Sequence, residues 1–358
     1  MESCNNTCRN SSFEILRLFA IFMIVFEHCL LATALHTGNV LSTIDNMAWA
    51  LEALTVCAVN VFFLISGYFA SENVKATRII KIWLKIIFYS FIIYLICVII
   101  GWDTLSIKGI ITYALPDVFR KYWFMQTYIA LSVFMPYIAK MLNVLNQKQH
   151  ITLIVVSIIL FSIHQTFIPV RYTLDATQGY GIIWAITLVI VGNYLKKYGD
   201  NMIDKIKTIY FLFGYVVIAC IMFVSNYLIV KYGIAQGVTS RANFYAYNSI
   251  TVFMQSICLF GAFIKVSKRN IYNKSVNYIA SSVLTVYLIS AHPDMLYNIW
   301  TNLIKIESLI NIPVLYIIVA IITSLLVVAV CILIDKTIDK LIKFDKISNM
   351  ISSKCGIS

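Results

Sequence analysis

The amino-acid sequence predicts an all-α integral membrane protein with about ten transmembrane helices and both termini in the cytoplasm. Three observations lead to this prediction. The 358 residues are 60% hydrophobic and only 12% charged, whereas soluble globular domains carry about 25% charged residues. Apolar runs of about 20 residues, the length that crosses a bilayer, recur along the chain. Lysine and arginine concentrate in alternate loops, as expected where those loops stay in the cytoplasm.

Ten apolar segments are long enough to be membrane spans. They cover residues 13–35, 48–70, 79–100, 121–140, 151–168, 179–195, 208–230, 245–266, 278–300 and 312–334. No repeat or low-complexity linker separates them, so a single ten-helix domain is predicted for 13–335. A short cytoplasmic segment, 1–12, precedes it, and a basic cytoplasmic tail, 336–358, follows it. The external loops are short, and the longest covers about residues 101–120.

The distribution of basic residues accounts for the net charge of +12. When alternate loops are assigned to opposite sides, 20 of the 28 Lys and Arg residues fall on one side and 7 on the other. This bias explains the charge through topology, and no nucleic-acid partner is predicted. The nine Cys are scattered, mostly within apolar stretches. They indicate small buried hydrophobic residues, and no metal site is predicted.

The first segment is unusual because it contains Glu14, Arg17, Glu27 and His28. An ionisable group near the bilayer centre costs about 3 kcal/mol, so four in one span indicate a polar interior with a function. Arg17 and His28 are eleven positions apart, which places them on one helix face, separated by roughly 16 Å along the axis. They could serve two ends of an extended ligand. In the alternative interpretation, Glu14 and Arg17 lie at the headgroups and His28 is a packing residue.

Three further patterns follow in order along the chain. The second segment ends with Phe-Phe-Leu-Ile-Ser-Gly-Tyr at 62–68, where the glycine allows close backbone approach or a left-handed helix exit. The fourth opens with Tyr-Trp-Phe at 122–124, and the ninth contains Tyr-Leu-Ile at 287–289, followed by Ser290 and then by His292 and Pro293. Each pattern alone also occurs in ordinary membrane helices, where aromatic residues form an interfacial belt.

The ordered set resembles acyltransferase family three, the polytopic membrane O-acyltransferases that act on exopolysaccharides, O-antigens and related glycans. In that family the first helix carries an acidic residue, then Leu-Arg three residues on, and then a His after ten more residues. Glu14, Arg17 and His28 have this spacing. Ser290 stands where the family commonly has a His, so the roles of Ser290 and His292 stay open. The resemblance implies a bacterial cytoplasmic membrane protein that uses acyl-CoA as donor substrate, with no permanently bound cofactor.

Site roles follow from the chemistry of thioester-to-hydroxyl transfer. His28 is the candidate general base or, alternatively, a transient acyl carrier, because its unperturbed pKa is near working pH. Arg17 would hold the phosphate or pantetheine end of the donor, with Glu14 fixing its position. The other residues predicted to bind the donor are Arg78, Lys81, Lys85 and Ser66. The residues predicted to contact the acceptor are Tyr122, Trp123, Glu52 and His292.

Two groups among these candidate site residues have alternative interpretations. Arg78, Lys81 and Lys85 are about a turn apart and could bind a polyphosphate, but positive-inside topology also places such residues there. Glu52 and Glu27 could instead orient His28 or receive a proton.

The sequence therefore predicts a membrane O-acyltransferase that moves an acyl group, most simply acetyl from acetyl-CoA, to a hydroxyl of a lipid-linked or exported polysaccharide. The alternative is a transporter or flippase of lipid-linked saccharides. A flippase is expected to show matching halves with broken helices, and the sequence shows no such halves. The acyl group, the acceptor sugar and the oligomeric state, a homodimer included, stay open.

Overall fold

The computed structural model describes residues 10–36, 41–168, 173–175, 177–232 and 243–355. Within these ranges the regular structure is helical and no β-strand occurs. The α-helices are α1 Ser11–Ala32, α2 Thr43–Thr55, α3 Ala58–Tyr68, α4 Ala76–Ile99, α5 Ile107–Ala114, α6 Trp123–Val144, α7 Gln147–Ile158, α8 His164–Phe167, α9 Ile182–Tyr198, α10 Asp200–Lys205, α11 Thr208–Lys231, α12 Ile250–Ser267, α13 Lys274–Ala280, α14 Val283–Ser290, α15 Pro293–Leu296, α16 Pro313–Ile342 and α17 Phe344–Cys355.

The prediction of an all-α integral membrane protein is confirmed. In the described ranges, eight helices are long and apolar enough to cross a membrane, and a ninth is added if Lys274–Ser290 and Pro293–Leu303, which meet at 84°, form one span. The sixth predicted segment coincides with α9, which has 17 residues and is largely buried. All ten predicted segments are thus helical, while the cytoplasmic placement of both termini stays a prediction.

The second predicted span is interrupted between α2 and α3. The break leaves the carbonyl groups of Ala53 and Leu54 without helical partners. Gln255 donates to the Ala53 carbonyl at 2.8 Å, and the Tyr215 hydroxyl donates to that of Leu54. Side chains of α11 and α12 therefore satisfy the freed backbone, as the hydrocarbon region requires. This break lies within one turn of Glu52.

Helices α3 and α9 cross at two glycines. A Cβ atom at Gly67 would lie 2.3 Å from the Val189 carbonyl oxygen, and one at Gly192 would lie 2.3 Å from that of Leu64. Both glycines are therefore needed for backbone contact, as in other closely packed membrane helices. The Ser-Gly-Tyr sequence serves close approach, and the left-handed exit considered for Gly67 is not used.

The segment expected to be the longest external loop, 101–120, folds back along α4. Ile110 and Ala114 border the same apolar groove as Leu84 and Phe88. The Asp117 side chain is in hydrogen-bonding contact with Trp83, the eighth residue of α4. The segment is therefore more than a connecting loop, because it contains α5 and packs along α4, and its placement on the external side stays a prediction. Tyr113 of α5 is buried and stacks on Tyr94 of α4, with ring centroids 4.6 Å apart, so aromatic packing holds this segment against the membrane helix.

The predicted cytoplasmic tail also contains regular structure. Helix α16 continues without a break through residue 342, beyond the predicted domain boundary at 335. Lys343 then adopts a left-handed conformation, with φ 53°, and α17 packs against α4. Phe344, at the start of α17, is buried with its ring edge-on to Phe88 at 5.5 Å.

Candidate functional site

Helix α1 lies between α3, α12, α14 and α16, and its amino terminus is fixed by specific contacts. Asn10 caps the helix by accepting a hydrogen bond from the Ser12 amide at 3.0 Å. The Ser11 amide donates to the Ile271 carbonyl at 2.8 Å, and the Ser11 hydroxyl donates to Asn277 at 2.8 Å. These bonds hold the start of α1 against the loop that follows α12, so the positions of its ionisable residues are set.

Arg17 and Glu14 form an ion pair within α1. Glu14 is buried, and the Arg17 side chain is 21% exposed. Pairing at a spacing of three residues lowers the cost of holding both charges in an apolar helix and restricts the rotamers of Arg17. The arrangement is the one that the sequence predicts for Glu14 fixing Arg17.

His28 lies eleven residues beyond Arg17, in the last part of the same helix. Its side chain is partly accessible, but Nδ1 is buried and forms no hydrogen bond with any residue that the structure describes. Buried polar atoms in native proteins nearly always have a partner, and exceptions often mark functional groups. An imidazole nitrogen of this kind can accept a proton from a bound molecule.

Glu27 and Glu52 meet next to His28, from α1 and α2. Their carboxyl groups lie close enough to share a hydrogen bond when one of them is protonated. The Tyr247 hydroxyl also donates to Glu27 Oε1 at 3.3 Å. In the described part of the chain, Oε2 of each glutamate is buried and receives no hydrogen bond from a donor group. Glu52, predicted to contact acceptor, is therefore paired with the glutamate that precedes His28.

Three aromatic rings extend this group toward the predicted outer side. Trp123 lies 4.4 Å from Tyr180 and 5.4 Å from Tyr247 between ring centroids, and the two tyrosines are 5.1 Å apart. Asn60 holds the Tyr247 backbone by donating to its carbonyl at 2.7 Å, and Trp184 donates to Asn60 at 3.1 Å. Trp123 stacks on Tyr247, so one of its faces is covered, and Tyr180 is the exposed ring of the cluster.

Two of the predicted site residues make contacts within the fold. Tyr122 is buried, and its hydroxyl donates to the Leu288 carbonyl at 3.0 Å. The Ser66 hydroxyl donates to the Phe62 carbonyl of its own helix at 2.9 Å. The contacts of Tyr122 describe a packing residue, and Ser66 retains only its acceptor capacity for a ligand.

His292 is fully buried, and both of its ring nitrogens have backbone partners. Nε2 lies 3.1 Å from the Ser90 carbonyl oxygen, and Nδ1 accepts from the Asp294 amide at 3.2 Å. The ring also stacks on Tyr113, with centroids 4.9 Å apart. These contacts assign His292 to the turn between α14 and α15 and leave no nitrogen for an acceptor. Ser290 is also buried, and its hydroxyl has no partner among the described residues.

The predicted basic stripe on α4, made of Arg78, Lys81 and Lys85, does not form a surface open to donor phosphates. Lys85 is buried between Asp335 and Asp339, at 2.7 and 3.3 Å. Lys81 pairs with Asp345 of α17 at 2.7 Å. Arg78 contacts the Tyr128 hydroxyl at 3.4 Å. Two members of the stripe thus have acidic partners from α16 and α17, which lie about 250 positions away in the sequence and could not be located from it.

Sequence reasoning missed Asn60, Tyr180 and Tyr247. Asn60 is the only amide in an apolar run and could have been noticed for that reason. Tyr180 and Tyr247 lie at span ends, where aromatic residues usually indicate the membrane interface. The described residues contain no group of three or more His, Cys, Asp or Glu that could hold a metal ion.

An ion pair, a histidine whose Nδ1 has no partner among the described residues, and a carboxyl pair within a helical membrane bundle define a membrane protein with a polar interior site. A family model described as an acyltransferase domain matches residues 10–335, and the chain belongs to this family, acyltransferase family three. No curated protein and no solved structure matches the chain. The chain is therefore a multi-pass membrane acyltransferase.

Proposed function

We propose that this protein transfers an acyl group, most simply acetyl, from cytoplasmic acyl-CoA to a hydroxyl of a lipid-linked or exported glycan at the bacterial cytoplasmic membrane. The observation that carries the proposal is the arrangement of α1. Arg17 and His28 lie on one face, roughly 16 Å apart, and Nδ1 of His28 has no hydrogen-bond partner in the described structure. An anion-binding group and a base on one face match an extended thioester donor with a reactive end.

His28 would act as general base. It takes the proton of the acceptor hydroxyl as the new carbon–oxygen bond forms, and returns that proton to the thiolate released when the carbon–sulfur bond breaks. The same nitrogen could instead carry the acyl group between two half-reactions. Both routes need the unpartnered imidazole.

The two substrates would approach from opposite ends of α1. Arg17 lies toward the predicted cytoplasmic end, where its guanidinium would bind a phosphate or the pantetheine arm of the donor. Of the three basic α4 residues predicted to bind the donor, Arg78 is the one without an acidic partner in the described structure. The Trp123, Tyr180 and Tyr247 cluster lies toward the predicted outer side, and its exposed ring, Tyr180, would contact a sugar face.

The test is the acetyl content of the host surface polysaccharide, measured by proton NMR. A deletion strain is complemented with wild type or with His28→Ala at matched membrane levels. We expect wild type to restore the acetyl signal and the variant to restore none, because transfer lacks its base. His292→Ala at the same membrane level is the matched control, since its ring nitrogens are used by the backbone.

Two outcomes would contradict the proposal. If glycan export fails while acetylation per repeat is unchanged, the chain acts in transport of the saccharide. If His28→Ala restores the acetyl signal fully, the transfer does not use His28, and the arrangement of α1 has another purpose.

A further inference from the structure

The carboxyl pair formed by Glu27 and Glu52 has no cationic partner in the part of the chain that the structure describes. Among the described residues, no Lys or Arg pairs with either side chain. The groups that face the pair are the hydroxyls of Tyr247 and Tyr180 and the thiol of Cys57. All three are neutral hydrogen-bonding groups. The charge of the pair is therefore uncompensated within the described fold.

Two carboxyl groups in hydrogen-bonding contact cannot both be ionised at low cost inside a membrane protein. One proton between them supplies the missing donor and removes the repulsion, as in other buried carboxyl dyads. The pair then carries one negative charge in total. That charge is held between α1 and α2, next to the break that ends α2.

A group able to become positively charged, His28, follows Glu27 directly in α1. Adjacent helical side chains point about 100° apart, so the imidazole and the carboxyl pair do not need to touch. Consecutive Cα atoms of a helix are about 3.8 Å apart, so a charge on the imidazole would lie near the pair in an apolar surrounding. Nδ1 of the imidazole lacks a partner within the described structure and can therefore accept a proton.

We propose that Glu27 and Glu52 share one proton, and that the remaining negative charge balances the charge of His28 while it holds the acceptor's proton. This inference rests on the proposed acyl transfer. During the reaction the proton moves from the acceptor hydroxyl to His28 and then to the leaving thiolate. The carboxyl pair keeps its own proton throughout. Glu27 and Glu52 are thus positioning residues that act through His28, and neither needs to contact a substrate.

Amide substitutions separate this role from a structural one. In Glu27→Gln or Glu52→Gln, an amide replaces the protonated carboxyl and donates to the remaining carboxylate, so the negative charge is kept. We expect each single variant to retain kcat within about threefold of wild type. In Glu27→Gln/Glu52→Gln the two amides can still bond to each other, but the charge is gone. We expect kcat of the double variant to fall about 100-fold, with KM for the donor unchanged.

The measurement is acetyl transfer by detergent-purified protein from acetyl-CoA to the host glycan, with thermal unfolding recorded in parallel. Glu307→Gln, which changes an exposed glutamate far from the pair in the sequence, is the matched control. The inference is overturned if the double variant is folded and as active as wild type, or if one single variant loses as much kcat as the double. If wild type itself transfers no acyl group to any glycan, it is the proposed function that fails.

Discussion

The α1 site and the contact of α4 with α14 and α16 both bury polar side chains in apolar helices, but they differ in how these groups are satisfied. At the α4 contact, Asp335 Oδ1 accepts from Lys85 at 2.7 Å, Tyr89 at 3.2 Å and Thr285 at 2.5 Å. At the α1 site, Nδ1 of His28 and Oε2 of both glutamates receive no hydrogen bond in the described structure. Three donors to one carboxylate oxygen stabilise the bundle, whereas polar groups without donors keep their hydrogen-bonding capacity for the chemistry proposed at α1.

The two motif histidines show the same difference. His28 and His292 both lie in segments that match the family, and both are in buried surroundings. The backbone uses both nitrogens of His292, whereas Nδ1 of His28 has no partner in the residues described. The hydrogen-bond partners of a motif residue, more than its type, therefore decide whether it can take part in catalysis.

The largest effect on stability is expected at Asp335. Asp335→Ala removes the acceptor of Lys85, Tyr89 and Thr285 and leaves Lys85 with the partly exposed Asp339. Because a buried ammonium then loses its main counter-ion, we expect the free energy of unfolding to fall by about 3 to 5 kcal/mol. The measurement is unfolding in mixed detergent micelles, followed by circular dichroism.

A charge-free replacement provides the control for Asp335. In Lys85→Met/Asp335→Leu both charges are removed, so the double variant should recover most of the lost stability. A loss below about 1 kcal/mol in the single variant would show that the α4 contact is not held by its polar network.

A smaller loss is expected at His292. His292→Ala leaves the Asp294 amide without its partner, removes an additional hydrogen bond to the Ser90 carbonyl of α4, and removes a ring that stacks on Tyr113. We expect a loss of about 2 to 4 kcal/mol in the free energy of unfolding. Acyl-transfer activity per folded molecule should be unchanged, because no ring nitrogen reaches a substrate. Thermal unfolding and activity of the same sample measure both quantities.

His292→Asn refines this prediction. Asparagine can still accept from the Asp294 amide as a helix cap, but it does not reach Ser90, so about half of the loss should remain. If activity per folded molecule falls with either substitution while stability is kept, His292 contacts the substrate and the distinction between the two histidines is wrong.

Much of the fold could be predicted from the sequence, because hydropathy directly indicates spans. The ten segments are all helical, and the Glu14–Arg17 pair follows from helical spacing alone. Contacts between distant segments could not be predicted. The partners of Lys85, the meeting of Glu27 with Glu52 and the return of α5 along α4 all depend on how helices pack. Residue type indicated which side chains were polar, and tertiary structure decided which of them have hydrogen-bond partners.

The smallest effect is expected at Lys81, whose partner Asp345 is mostly exposed. An exposed ion pair contributes about 0 to 1 kcal/mol, so Lys81→Ala and Asp345→Ala should each change the free energy of unfolding by no more than that. If Lys81 only fixes α17, KM for acyl-CoA should stay within about twofold in both variants. A tenfold higher KM in Lys81→Ala, with a lower KM in Asp345→Ala, would instead mean that Lys81 leaves Asp345 to bind donor phosphate. The basic stripe on α4 would then serve the donor, although its residues are paired in the described structure.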